Sequence, residues 1–256
     1  MHDNLGEQLT IDDMARAAFF SKFHFSRIFQ RATGISPGRF LSALRLQRAK
    51  QLLVSTSLNV ADVSLRVGYA SVGTFSSRFT RSVGLSPTTY RRLGGYTSHV
   101  PVADTHSVTS RPTGSLRGRV VPASNVLVDR VFVGVFPDRI PEGRPVQCCV
   151  LNEPGEFVLD RVPVGVWHVL AHSVGPDLLG QPSAEVGAVG SSGPILIRRD
   201  GVVELQLSLQ PMRILDPPVL LVLEDVRRSA MQRTETRHGP AAADRDVREP
   251  VGAGLR

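Results

Sequence analysis

Phe25-Ser26-x-x-Phe29-x-Arg31-x-x-Gly34-Ile35-Ser36-Pro37-x-x-Phe40 returns fifty residues later as Phe75-Ser76-x-x-Phe79-x-Arg81-x-x-Gly84-Leu85-Ser86-Pro87-x-x-Tyr90. Upstream, Leu9-x-Ile11-x-Asp13-Met14-Ala15 returns as Leu58-x-Val60-x-Asp62-Val63-Ser64, a shift of 49 that one inserted residue turns into 50. The repeated unit reads as a short helix, a turn and a second helix. Thr10 with Asp13 has the form of a capping box, and Ile11, Met14, Ala15 and Ala18 recur at helical spacing. Ser21 offers the next cap, with Phe25, Ile28, Phe29 and Ala32 as the inward face of a helix that Gly34 stops. In the second copy Asn59 and Ser71 take the capping positions, Phe75, Phe79 and Val83 face inward, and Gly68 and Gly84 are the stops. Pro37 opens a long helix to about residue 55, with Phe40, Leu41, Leu44, Ala49, Leu52 and Leu53 inward, and Pro87 opens a last short one to Arg92.

Charge follows the repeat. Residues 1–95 hold 13 Lys+Arg against 5 Asp+Glu, whereas residues 96–256 hold 17 against 18. An excess confined to one third of the chain is the footprint of a polyanion-binding domain beside a neutral one. A solvated helical surface is the plainer reading, and the repeat weighs against it. In a helix-turn-helix the second helix enters the major groove and its N-terminal residues meet base edges. The base-facing candidates are Lys22, Phe23, Ser26 and Arg27 in the first copy and Val72, Gly73, Ser76 and Ser77 in the second. Arg27 can give two hydrogen bonds to one guanine, worth about 1–3 kcal/mol of discrimination; otherwise it is an ordinary solvated arginine. Ser21, Arg31, Arg39, Ser71 and Arg81 are the phosphate candidates, which fix position without reading sequence. The long helix, roughly 26 Å, would hold the two recognition helices about one DNA turn apart, near 34 Å.

These residues carry a resemblance. Ser21-Lys22-Phe23-His24-Phe25-Ser26-Arg27-Ile28-Phe29, Gly34-Ile35-Ser36-Pro37, Arg45-Leu46-x-x-Ala49, Val67-Gly68-Tyr69, Phe75-Ser76-x-x-Phe79 and Gly84-Leu85-Ser86-Pro87-x-x-Tyr90-Arg91 make residues 9–92 resemble the DNA-binding domain of the AraC/XylS family of bacterial transcription regulators. The resemblance implies an all-α double helix-turn-helix domain, double-stranded DNA and RNA polymerase as partners, and regulation of transcription. It also places Phe23, Ser26, Arg27, Val72, Gly73, Ser76 and Ser77 at the family's base-facing positions. Ser77 stands where the family usually has arginine, and Phe19 where it commonly has glycine. The family domain opens with a full helix before the position of Leu9, where only eight residues stand here, so a native start upstream of Met1 is expected.

The remainder reads differently. A Ser/Thr/Pro-rich linker is expected over 98–112 and a disordered Arg/Ala/Asp/Glu-rich tail over 225–256. Between them, short apolar runs at 116–121, 131–136, 146–151, 156–162, 166–174, 194–198 and 202–209 predict an all-β antiparallel sandwich or barrel over 113–224. Gly155-x-Phe157-x-Leu159-x-x-Val162-Pro163-x-Gly165-x-Trp167-x-Val169 resembles carboxypeptidase-regulatory or transthyretin-like β-sandwiches, which implies a packing or interaction module and an unknown effector or protein partner. Trp167 reads as core rather than as a sugar platform.

No stretch approaches 18 apolar residues and no basic-then-apolar leader opens the chain, so a cytoplasmic protein without a membrane partner is expected. Cys148 and Cys149 are adjacent in an apolar run, placed for opposite strand faces rather than for a bridge or a metal. Gly34-Ile35-Ser36-Pro37-Gly38 has the form of a nucleophile elbow but lies between helices, and Gly187-x-x-Gly190-x-x-Gly193 lacks a following helix. His168 and His172 lie four apart in a strand-like run, unlike helical metal ligands. The expectation is no enzyme, no cofactor and no metal. The competing reading is a ligand-binding or protein-interaction module that works through the β-sandwich.

Overall fold

The computed structural model describes residues 1, 4–95, 112–123, 128, 130–174 and 187–221. The expected tail, and the expected linker up to residue 111, lie outside the described residues. Six helices come first: α1 (Ile11–Ala17), α2 (Lys22–Thr33), α3 (Pro37–Ser55), α4 (Val60–Arg66), α5 (Val72–Val83) and α6 (Pro87–Arg92). Their starts are chemical. Thr10 and Asp13 close a reciprocal capping box, and the side chains of Ser21, Asn59, Ser71 and Ser86 each accept from the backbone N–H three residues on. Their stops are steric, since Gly34 and Gly84 take left-handed φ values of 79° and 91°.

The repeat in sequence is a repeat in packing. Phe25, Phe29 and Phe40 form a chain of ring contacts with centroids 5.6 and 5.3 Å apart, and Phe75, Phe79 and Tyr90 form its counterpart at 5.6 and 5.5 Å. One inward face differs from expectation. Ile28 and Ala32 are exposed, and the buried stripe of α2 runs through Phe25, Phe29 and Thr33, in register with Phe75, Phe79 and Val83. Thr33 is tolerated inside because its hydroxyl donates to Phe29 O at 2.8 Å and also lies 3.0 Å from Ile35 O. α3 buries Phe40, Leu41, Ala43, Leu44, Leu46, Ala49, Leu52 and Leu53, which span more than one face. It is the central helix of the molecule.

Seven strands follow: β1 (Thr113–Pro122), β2 (Arg130–Phe136), β3 (Gln147–Leu151), β4 (Glu156–Pro163), β5 (Gly165–Val174), β6 (Gly187–Ile197) and β7 (Val202–Pro211). Their order is β3-β2-β5-β6-β7-β1-β4 in one sheet, and the terminal strands β3 and β4 approach each other, so the sheet rolls up into a near-barrel. The expectation of an antiparallel domain fails at one pair: β1 runs parallel to β7, from Ser115 against Val202 to Pro122 against Leu209. Leu116, Val133, Val135, Phe157, Leu159, Val169, Ile197 and Leu207 fill the interior. Trp167 packs half-buried against them and donates to Pro163 O at 2.7 Å, as a core residue should. Cys148 and Cys149 contact different core clusters, one on each face of β3.

The outer face of β2 and β5 meets the helices. Val219 and Leu221 lie on Phe132, Phe136 and Leu170, while Leu220 between them enters the helical core. Lys50 of α3 donates to the carbonyls of Val219 and Leu221 at 3.3 and 3.1 Å. The loop after β2 adds Ile140 to the same helical core. No described helix is long and apolar enough to cross a membrane.

Candidate nucleic-acid interface

With Phe25 turned in, the first two turns of α2 present Lys22, Phe23 and Arg27 outward, and Ser26 half-buried between them. Phe23 is 87% exposed, which no packing demand explains. The Arg27 side chain has no hydrogen bond or ion pair to any described residue. Lys22 is paired with Asp12 of α1 at 3.0 Å; both side chains are about half exposed. Such a pair is worth under about 1 kcal/mol and yields readily to a phosphate.

The corresponding face of α5 is built from the same positions with other chemistry. Val72, Gly73 and Ser77 are exposed and Ser76 is half-buried, so all four sequence candidates lie on one side of the helix. Ser21 and Ser71 spend their hydroxyl lone pairs on the helix-capping N–H groups of His24 and Thr74, which leaves each hydroxyl proton to donate. Arg31 and Arg81 are exposed in the last turns of α2 and α5, where the helix dipole favours cations. Both helices also present unpaired N–H groups at their first turns, suited to phosphate.

Arg39 departs from the pattern. At the start of α3 it pairs with Asp138 at 2.5 Å and with Glu142 at 3.4 Å, two carboxylates of the loop after β2. Burial alone would raise the Asp138 carboxyl; hydrogen bonds from Arg39 and from the Arg139 N–H, with the Arg39 charge, reverse this and hold it below the usual carboxylate value. A residue read as a phosphate contact is thus met by acids of the same chain.

The sequence reading did not single out Phe19 as an exposed surface. It is 96% exposed at φ 59°, between α1 and α2. A left-handed φ on a bulky residue costs about 1–2 kcal/mol. Phe19→Gly is therefore expected to raise folding stability by about 1 kcal/mol after the extra backbone entropy of glycine is deducted. Urea denaturation would measure it, and a loss of stability would contradict the strain argument.

A protein-family profile described as "Helix-turn-helix domain" matches residues 14–93. The chain is similar to the HTH-type transcriptional activator AarP of Providencia stuartii, with 33% identity over 34% of this chain and 65% of that protein. It is similar to the lactose operon transcription activator of Staphylococcus xylosus, with 32% identity over 36% of this chain and 33% of that one. Among solved structures it is similar to a transcriptional regulator (AraC-type DNA-binding domain-containing proteins) from Chromobacterium violaceum, with 32% identity over 37% of this chain and 84% of that one, at a TM-score of 0.36. The aligned segment spans a third of the lactose regulator and just under two thirds of AarP. Residues 14–93 are a helix-turn-helix domain.

Proposed function

We propose that the protein is a sequence-specific DNA-binding transcription regulator that seats α2 and α5 in neighbouring major grooves of one duplex. The observation that carries the reading is the pair of matched aromatic chains, each supporting a helix with an outward, cap-initiated N-terminal face in a segment bearing 13 basic against 5 acidic residues. The names of its relatives, which are transcription regulators, point the same way. Base contacts fall to Lys22, Phe23, Ser26 and Arg27 on α2 and to Val72, Gly73, Ser76 and Ser77 on α5, and phosphate contacts to Ser21, Arg31, Ser71 and Arg81. RNA polymerase is the partner such a regulator would address, and the β-domain is an interaction or ligand module in the manner of carboxypeptidase-regulatory sandwiches.

Arg27 carries the one guanidinium among the base-facing side chains, a planar fork suited to a bidentate contact with guanine. Arg27→Ala is expected to weaken binding to a selected site about 5- to 100-fold, from a loss of roughly 1–3 kcal/mol, and to weaken binding to scrambled DNA far less. Fluorescence anisotropy on both duplexes reads the difference, and equal losses would contradict base reading by α2. The cognate duplex comes from selection on random DNA. Affinity is also expected to fall steeply with salt as counterions are released, and a flat salt dependence would count against the whole reading.

A further inference from the structure

The loop after β2 does two things at once. On one side it reaches both helix-turn-helix units. Asp138 and Glu142 hold Arg39, Ser82 Oγ of α5 donates to Glu142 at 2.7 Å, and Gly143 N donates to Ser82 O at 2.7 Å. Arg139 lies so close over Gly34, the C-cap of α2, that a side chain there would collide with its guanidinium. One six-residue strap therefore joins the end of α2, the start of α3 and the end of α5. On its other side the same loop walls a cavity of about 290 Å³, shared with β5 and β6.

The lining is chemically uneven. Phe136 and Leu170 supply an apolar floor, and Asp138, Arg139, His168 and Ser191 supply polar groups. Asp138 is held by Arg39, which also pairs with Glu142. The Arg139 guanidinium has no hydrogen bond or ion pair to any described residue, so its planar fork is available to a ligand. Ser191 stands opposite Leu170 in the β5–β6 register, which places it on the face that looks into the cavity. His168 is half-buried, and its imidazole is held below its usual value by burial, although Asp138 pulls the other way. It stays neutral at pH 7 and can both donate and accept. A planar guanidinium fits a carboxylate bidentately, while Ser191 and His168 suit hydroxyl groups. The volume is at the small end for ligand sites.

We infer that this cavity is a binding site for a small hydroxycarboxylate, held by Arg139, His168 and Ser191, and that its occupancy is passed through the Asp138–Gly143 strap to the two DNA-binding units. The ligand draws Arg139 from Gly34 and so alters the strap's grip on α2, which resets the spacing of α2 against α5. The second half of this statement rests on the DNA-binding function proposed above; the first half does not.

The test uses the full chain and two probes, lactate and gluconate, with lactamide as the uncharged control. Isothermal calorimetry is expected to show saturable one-to-one binding of at least one acid and none of lactamide. Arg139→Gln and Ser191→Ala should each weaken it tenfold or more while thermal melts stay cooperative, and Arg144→Gln, outside the cavity, should leave it unchanged. Anisotropy on a selected duplex should then shift at least threefold in affinity when the acid saturates the wild-type chain, and not in Arg139→Gln. Absence of binding by both acids, equal binding of lactamide, or binding untouched by Arg139→Gln would overturn the site. Acid binding with unchanged DNA affinity would overturn the coupling. Acid binding by a chain that holds no DNA at all would instead overturn the DNA-binding function and leave the site standing.

Discussion

Phe79→Ala should destabilise the helical domain by about 3–5 kcal/mol, the range for emptying a fully buried aromatic position. Phe79 has no exposed surface and stands between Phe75 and Tyr90, with ring centroids 5.6 and 5.5 Å away. Removing it opens a cavity under α5, and the two flanking rings lose their common neighbour. Its counterpart in the first unit, Phe29, is only half-buried. Phe29→Ala should therefore cost clearly less, because part of the ring already faces water and less volume is left empty. Urea unfolding of the two variants side by side gives the comparison. A cost for Phe79→Ala below about 1 kcal/mol would mean that the second unit repacks freely, and the matched chains would lose their structural meaning.

Acid should loosen the contact between the helices and the sheet. His172 of β5 is buried, and burial first, then the nearby Lys50 charge, depress its imidazole to about 4 from 6.5. Its Nδ1 finds no hydrogen-bond partner among the described residues. Lys50 itself is depressed by burial to about 8 from 10.5. Both are bases held deprotonated more readily in the folded chain than in the unfolded one, so the unfolded chain binds more protons and stability rises with pH. For His172 the stability is complete above about pH 6.5 and is lost as pH falls toward 4, by of order 3 kcal/mol. For Lys50 a further gain lies between pH 8 and 10.5. Thermal melts from pH 4 to 7 should show the first slope, and His172→Gln should flatten it. An unchanged slope in that variant would move the acid sensitivity elsewhere.

Helix starts and stops were legible because each depends on one residue: Thr10, Ser21, Asn59 and Ser71 as caps, Gly34 and Gly84 as left-handed stops. The strands were legible from apolar runs, except that β6 begins at Gly187, well before the expected 194. Its early part is Gly-rich because Gly190 lies under the Ser208 carbonyl, where a side chain would collide. The buried face of α2 departs from its apolar pattern because register with the second unit, not apolar identity, decides which residues turn inward. Ile28 aligns with the exposed Arg78, and Thr33 with the buried Val83. The parallel pairing of β1 with β7 could not be read, since no local pattern distinguishes parallel from antiparallel partners that lie some 90 residues apart. For the same reason nothing around Arg39 announced that two acids a hundred residues on would reach it.

The segment Val219-Leu220-Leu221 lies between sheet and helices, yet it is the last described stretch of the chain, 169 residues after the Lys50 that holds it. During synthesis the helices emerge first and can pack on their own aromatic chains, but the slot beside α3 stays open until that segment has left the ribosome. A contact this distant in sequence forms late and slowly. A nascent chain halted before residue 219 would carry both helix-turn-helix units with Lys50 and the flank of Leu220's site still in water. Emergence of that segment thus completes a joint between helices and sheet that the strap after β2 has begun.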